Sequence, residues 1–474
     1  MKATENPLSA DYWFGTADPR PQALFRWLFG LTVCHDLINY ARDLPAFLTD
    51  NGILPRGVQA DPHTWSVFEL VGSTAGAAAL FAVGLAAAVC FTIGFRTRVA
   101  AAVAWFFLTA LDTRNLYVTD GGDDLMRCLM FLSIFADLGR CWSLDSWLGR
   151  VTTRPARVLA LRFLQLHIVL LYFCAARLKF RAGWLHSNVV FQILQLTGFV
   201  RPPGLILAQS PAMCRGSTLL TLVLEFSFAF FALSPWKVGW SRALAVAAGF
   251  AVQFGILVSM RVGAFTETML AAMALFTRPE WFDWLGARFG AKAKLSPRAQ
   301  AAPASAWGGF PDAFRSSPAR ALGFALLCFQ FILLAWGPFV GRRIPPPRAL
   351  MNARQYLWLD QPFGLFDVVY DIPRWSAEGS TVTGRHVEVL SRAVPDLVPV
   401  VRWRFSRWYK FTFKERERPF RFEQLGAFMC REYLAHTGQK LREFSLSETL
   451  TPPSVQGQPE RPAHTRERWH QACE

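Results

Sequence analysis

Between Tyr172 and Trp184 the chain reads YFCAARLKFRAGW, with three cationic side chains, Arg177, Lys179 and Arg181, placed directly after an apolar run. An ionisable group at membrane depth is costly unless it is paired, so such groups mark functional sites by default. Arg162, Gln165, Val169, Tyr172, Ala176 and Lys179 follow one another at spacings of 3, 4, 3, 4 and 3, which places them on one face of a helix. His167, Cys174 and Arg181 form a second, weaker row. A lysine on such a stripe, with Tyr172 two turns before it and Trp184 after it, could take or give a proton in apolar surroundings. The competing reading makes Lys179 and its arginine neighbours anchors that reach from a helix end to water. Both readings stand on the residues alone.

Other apolar segments carry polar groups that could face the same space. Glu225, in LTLVLEFSFAFF, is the most isolated carboxylate. It must be paired or protonated, and Arg127, Arg162 and Lys179 are its plausible partners. Gln253, Arg261 and Glu267 add polar groups further along. In the first segment Arg26, Phe29, Val33, Asp36, Tyr40 and Asp43 share one helical face beside His35. A buried arginine–aspartate pair there reads as glue between helices, or as a proton path or substrate contact. The segment TDGGDDLMR opens a helix: Asp120 or Asp123 can cap it, and Asp124 reaches Arg127 at i+3. Capping explains most of that cluster, and a cation or substrate contact at Asp124 is the alternative. With at least five segments carrying an inward polar group, a polar cavity inside a bundle is expected. No P-loop, G-x-S-x-G, H-E-x-x-H or dinucleotide-binding glycine motif is present in a fitting context, and neither C-x-x-C nor a Cys/His metal spacing appears.

The elements that must position these residues are membrane helices. Of the 474 residues, 52% are hydrophobic and 18% charged, against about 25% charged in soluble proteins, and the deficit is concentrated in long apolar runs. About nine spans are expected, at roughly 23–41, 75–95, 99–112, 124–139, 158–178, 217–234, 241–260, 263–277 and 321–340. The region 183–215, broken by Pro202 and Pro203, reads as a re-entrant or membrane-proximal loop. The net charge of +16 would suggest nucleic acid in a soluble protein. Here it fits cytoplasmic loops and anionic headgroups, and no nucleic-acid partner is expected. Arg96, Arg98, Arg140, Arg150, Arg154, Arg157, Lys237 and Arg242 fall in alternate loops, as do the cations of the 278–320 loop. These loops are therefore expected inside, with residues 1–22 a cytoplasmic segment lacking a signal-peptide core and the C-terminal region outside.

The expected fold class is thus an all-α polytopic bundle with a small α+β extracytoplasmic C-terminal domain. Residues 23–340 form the transmembrane domain, including a flexible Ala/Pro/Ser-rich connector at 278–320. Residues 341–450 form the outer domain, and 451–474 a disordered tail. In the outer domain TVTGRHVEVL alternates at period two after a Gly-Ser turn, and RWRFSRWYKFTFK reads as a second, basic-and-aromatic strand. Its polar face is either solvated or a surface for anionic headgroups, phosphate or acidic peptide. Phe422 to Thr437 reads as a helix stopped by Gly438. The nine cysteines, most of them in apolar runs, read as small hydrophobes and not as a disulfide framework.

DPRPQALFRWLFGLTVCHDL, FLTDNGILPR, LYVTDGGDDLMR, CWSLDSW and LYFCAARLKFRAGWL, in this order, resemble the bacterial HTTM (horizontally transferred transmembrane domain) proteins, whose superfamily includes vitamin K-dependent gamma-carboxylase. The resemblance covers roughly residues 15–280, with a looser echo in QYLWLDQPFGLF. It implies a cytoplasmic N-terminus, an extracytoplasmic C-terminal domain and a bacterial inner-membrane location. In the carboxylase a lysine deprotonates reduced vitamin K, and oxygenation of the quinol then yields the base that removes a glutamate γ-proton. The resemblance places that lysine on Lys179, flanked by Tyr172 and Trp184. It places Gly122 and Gln253 where the carboxylase has two histidines.

Two functions follow as expectations. One is a carboxylase-like or quinol-using enzyme with Lys179 as base, a reduced quinone as cofactor, and Tyr172, Gln165, Arg162, Trp184, Glu225, Gln253, Asp36 and Asp124 as substrate-binding neighbours, the outer domain presenting a peptide or protein. The other is a non-enzymatic membrane protein that binds a lipid, quinone or peptide, as an immunity or maturation partner would. A transporter is disfavoured, because neither an inverted repeat nor paired broken helices appear.

Overall fold

A computed structural model describes residues 6–58, 64–151, 155–288, 318–339, 344–359, 361, 371–398, 400–401, 403–416, 420–455 and 458–473. Each of the nine expected spans is a helix: α1 Arg20–Ala41, α2 Thr74–Ile93, α3 Thr97–Arg114, α4 Gly121–Phe135, α5 Leu159–Arg181, α6 Pro211–Phe231, α7 Val238–Ser259, α8 Phe265–Ala272 and α9 Pro318–Phe339. Their ends are set locally. Ser73 caps α2 through the Gly76 amide, and Asp120 and Asp123 form a capping box at α4. Ser210 caps α6, with Pro211 at its first position. Gly94, at φ +75°, ends α2 in the left-handed conformation that favours glycine.

Among the described residues, four helices (α2, α5, α6 and α7) are long and apolar enough to cross a membrane, and Phe265–Phe276 and Ala321–Trp336 are shorter apolar helices. Leu31, Val83, Leu220, Val223, Phe230 and Phe250 point outward and stay exposed. An apolar exterior over a core that holds charged side chains is what a lipid solvent selects.

Helices α1, α2, α3 and α4 pack in sequence, as do α5, α6 and α7; α8 closes the bundle against α7, α1 and α4, and α9 lies on α5. Two short strands, β1 Thr16–Ala17 and β2 Ala156–Arg157, tie the chain's start to the approach to α5. Arg26 and Asp36 do not pair with each other. The Arg26 guanidinium donates to the carbonyls of Thr92, Leu138, Cys141 and Trp142, joining an orphan acceptor at the C-terminal end of α2 to the segment after α4.

The C-terminal domain is an antiparallel sheet of β3 Ile372–Thr381, β4 His386–Glu388, β5 Leu441–Thr451 and β6 His464–Ala472 in the order β4-β3-β5-β6, with helices α10 Arg407–Lys414 and α11 Phe422–Thr437. Gly438 ends α11 as expected.

Several expectations need correcting. Gly379–Ser380 lies inside β3, and the chain reverses instead at 382–385 around Gly384 at φ +81°. Residues 407–414 are helical, not a strand. Trp408, Phe411 and Thr412 recur at helical spacing and are buried, so the aromatic run satisfied both periods and packing chose between them. The supposed disordered tail supplies β6, and a disulfide between Cys430 on α11 and Cys473 fastens its end. That bridge also corrects the cysteine reading, although Cys34, Cys90, Cys174 and Cys328 are not disulfide-bonded. The 278–320 connector begins as a helix, Pro279–Arg288, while 289–317 lie outside the described residues. The 183–215 region holds two short helices, Val189–Ile193 and Pro202–Ala208.

Candidate functional site

Lys179 sits in the last turn of α5, and Glu225 lies four turns into α6, facing it. The Lys179 ammonium and the Glu225 carboxylate form an ion pair, and each residue is only 4% exposed. The three cations of the opening stretch therefore part company: Lys179 is buried, Arg177 half-buried and Arg181 exposed. Trp184 folds back so that its ring lies 5.2 Å from the Lys179 Nζ, a cation–π contact. Two turns before Lys179, the Tyr172 hydroxyl donates to the Gly249 carbonyl at 3.2 Å and accepts from the Gln253 amide at 3.1 Å. The Phe228 ring packs on Tyr172 at 4.2 Å between centroids.

These five polar residues line one cavity of about 190 Å³, whose remaining wall is largely apolar, including Leu171, Leu194, Leu224, Ile256 and Phe265. Leu220, also on its wall, is half exposed on the outer face of α6, so the cavity reaches the lipid-facing side between α6 and α7. Among the described residues, three buried polar atoms on the wall have no partner: Glu225 Oε2, Gln253 Oε1 and Trp184 Nε1. Buried polar groups are normally satisfied, so two acceptors and a donor here suit a ligand with its own hydrogen-bonding end.

The other expected site residues lie elsewhere. The Arg162 guanidinium donates to the Tyr12 carbonyl at 3.0 Å and to Gln165 Oε1 at 2.8 Å, and stacks on the Tyr12 ring. Gln165 in turn donates to the Leu275 carbonyl at 2.7 Å. This end of the stripe joins α5 to the N-terminal segment and to the turn after α8. Asp124 pairs with Arg127 at 2.6 Å, as expected, and Arg127 also binds Asp112 and the Trp358 carbonyl. Asp36 accepts from Arg407 of the C-terminal domain at 2.8 Å.

Arg407 was not expected at a site. Besides Asp36, its guanidinium donates to both oxygens of Asp123 at 2.8 Å and to the Val118 carbonyl at 3.1 Å, while the Tyr40 ring stacks at 4.8 Å. It bolts the C-terminal domain to the end of the bundle that holds the cavity. Arg261, just past α7, does the same through the Arg404 and Val400 carbonyls, and also donates to the Gly198 carbonyl within the bundle. Nothing in the sequence announced Arg407, because its partners lie hundreds of positions away. Phe228, one turn after Glu225 on the same helical face, and Gly249, in a small-residue run one turn before Gln253, were detectable by helical spacing.

In comparisons with known proteins, the family model for the HTTM domain matches residues 14–281, which include every residue of the cavity wall named above. No curated protein and no solved structure matches the chain.

Proposed function

We propose that this chain, which belongs to the HTTM domain family and is an integral membrane protein, holds an amphiphilic molecule in the Lys179 cavity and withdraws a proton from it. The observation that carries this reading is the buried Lys179–Glu225 pair beside acceptors that have no protein partner.

The chemistry follows from the pair. Within an apolar wall, an ammonium and a carboxylate in contact can exchange one proton and become a neutral amine and a neutral acid. Breaking an Nζ–H bond of Lys179 and forming an O–H bond on Glu225 leaves a free amine. That amine then takes a proton from a ligand hydroxyl, leaving an oxyanion next to the restored ammonium. Gln253 Oε1 is placed to accept from the bound molecule and Trp184 Nε1 to donate to it, while the apolar wall keeps water out.

A reduced quinone is the group that the resemblance to the carboxylase implies, and the residues fit it: an apolar slot open to the lipid side, with acceptors for a hydroxyl at its inner end. When bound, it would supply the acidic hydroxyl and the reducing equivalents. Full carboxylase chemistry is another matter. A Cβ on Gly122 would come within 2.6 Å of the Phe265 amide nitrogen, so no histidine side chain fits there without moving α8. Gln253 is engaged with Tyr172. Proton withdrawal from a quinol-like ligand is therefore proposed, and glutamate carboxylation is not. The ion pair itself favours a second reading, a non-enzymatic lipid or quinone pocket, because a lysine locked to a carboxylate is first of all an ammonium.

For topology we propose a bacterial inner-membrane protein with its N-terminus in the cytoplasm and the C-terminal domain outside. The Cys430–Cys473 disulfide supports this, since such bonds persist in oxidising compartments. So do Arg96, Arg98, Arg140 and Arg150, which lie at the bundle end away from that domain.

The test is purification of the full chain in detergent, identification of co-purifying small molecules by mass spectrometry, and incubation with a reduced naphthoquinone, oxygen and bicarbonate. Consumption of the quinol by the wild type, lost in a folded Lys179→Ala variant, is the expected result. If the quinol is bound but not consumed, the pocket is a binding site only. If it is neither bound nor consumed, quinol use is excluded.

A further inference from the structure

At the opposite end of the bundle from Lys179, the turn between α2 and α3, the segment after α4 and strand β2 meet around a concave basic cup. Arg96, Arg98, Arg140 and Arg157 line it with Asp137 and Asp145, leaving a net charge of +2 from these six. Asp137 is buried at the base, and three of the arginines converge on it. Arg98 and Arg157 hydrogen-bond its carboxylate, the latter at 3.1 Å, and Arg140 lies at 3.4 Å. One carboxylate offers about four lone-pair sites, whereas three guanidiniums carry about fifteen N–H donors. The three arginines therefore carry more donors than Asp137 can accept, and the Arg98 side chain is 50% exposed.

A second, independent feature points to an anion. Helix α3 begins at the cup wall without a cap from its own N-cap side chain, and the Asp145 carboxylate accepts from the Arg96 amide at 2.7 Å, which leaves the following first-turn amides without an intrahelical acceptor. Thr97, its first residue, lines the cup and is only 7% exposed, and its Oγ1 has no partner among the described residues. Across from it, a Cβ on Gly139 would lie 2.5 Å from that hydroxyl, so glycine lets the segment after α4 pack directly on the start of α3. Surplus guanidinium donors beside the first-turn amides of α3 match the tetrahedral oxygens of a phosphate.

The surroundings select the source of that phosphate. Val99 lines the cup and is 60% exposed, and it continues down the outer face of α3 towards the exposed Phe106. Ile93, at the end of α2, and Trp147 and Leu148, beside the cup, are also exposed. Apolar helix surface below and an aromatic residue at the rim form the pattern of a membrane interface. We infer that this cup binds the headgroup phosphate of an anionic glycerophospholipid, whose acyl chains lie along α3. The inference does not rest on the Lys179 cavity or on quinol chemistry.

The experiment uses the full chain in detergent, stripped of lipid, with three probes: phosphatidylglycerol, phosphatidylcholine of the same acyl chains, and inorganic phosphate. Native mass spectrometry and thermal unfolding are the readouts. Phosphatidylglycerol should be retained as an adduct and raise Tm, with phosphatidylcholine retained at least about tenfold more weakly. Arg96→Gln, which does not hold Asp137, should weaken phosphatidylglycerol retention several-fold. Arg98→Gln should abolish it where that variant still folds. Equal retention of the two lipids would overturn the inference, because apolar contact would then suffice. Protection by inorganic phosphate as strong as that by lipid would overturn the lipid assignment in favour of a free anion. Unchanged retention in Arg96→Gln would sink the cup as the site.

Discussion

Arg407, on a short helix of the C-terminal domain, donates to both carboxylate oxygens of Asp123 on α4 at 2.8 Å, and both side chains are buried. Because Asp123 also closes the capping box at Asp120, one residue starts a bundle helix and receives the C-terminal domain. Removing the guanidinium leaves Asp123 and Asp36 buried with no counter-charge, a change that typically costs about 3–5 kcal/mol. Arg407→Gln should therefore loosen the domain from the bundle, seen as faster hydrogen exchange in residues 36–43 and 118–127 and a lower Tm. Arg407→Lys should rescue only in part, since an ammonium cannot make the two-pronged contact. Exchange rates unchanged in Arg407→Gln would show that the apolar contacts alone hold the interface.

The Lys179–Glu225 pair should behave as a coupled unit. Lys179→Met or Glu225→Leu alone leaves one charge in an apolar wall, with a destabilisation of about 3–5 kcal/mol, whereas the double variant should recover most of it. Thermal or denaturant unfolding of the four proteins gives the coupling energy directly. If the proton-transfer reading holds, every one of the three variants loses turnover by about 100-fold or more, including the stable double variant. Activity surviving in the double variant would separate the chemistry from the pair.

Parts of this were legible in the sequence because they are local. The 3-4 spacing from Arg162 to Lys179 set the polar face of α5, and a lone glutamate in LTLVLEFSFAFF had to find a cation. What the spacing could not convey is distance along the axis. Arg162 and Lys179 are 17 residues apart, about 25 Å at 1.5 Å per residue, so the upper and lower halves of one stripe serve different neighbours. Arg162 and Gln165 hold the N-terminal segment, and only Tyr172 and Lys179 reach the cavity. The C-terminal domain was read less well for a different reason. Its short aromatic run fits a strand or a helix until Trp408 and Phe411 meet Phe47, Phe428 and Trp375. Its last strand is polar and exposed, and is held by pairing to β5 and by a cysteine 43 positions earlier.

That disulfide yields a prediction about both stability and side. Cys430→Ser with Cys473→Ser should lower the stability of the C-terminal domain by about 2–4 kcal/mol, mainly by freeing the unfolded chain, and should release β6 first in hydrogen exchange. In intact cells, a membrane-impermeant thiol reagent should label Cys473 in a Cys430→Ser variant only if the domain lies outside. Labelling that requires the cells to be opened would reverse the proposed topology.

Glu415, at the end of α10, makes the stability of that domain depend on pH. It is buried beside Glu448 and pairs with Arg468. Burial, reinforced by the Glu448 charge, outweighs the arginines and pushes its carboxyl up from 4.5 to about 7. The folded domain therefore holds a proton that the unfolded chain has released, and the stability this confers is complete below pH 4.5. It is lost as pH rises from 4.5 to about 7, with a slope of at most one proton, about 1.4 kcal/mol per pH unit, and is flat above. Glu415→Gln removes the titration. The difference in denaturation midpoint between wild type and Glu415→Gln, followed from pH 4.5 to 8, should shift against the wild type across that window and then level off. A difference that stays constant over the whole range would mean that Arg468 keeps Glu415 ionised throughout.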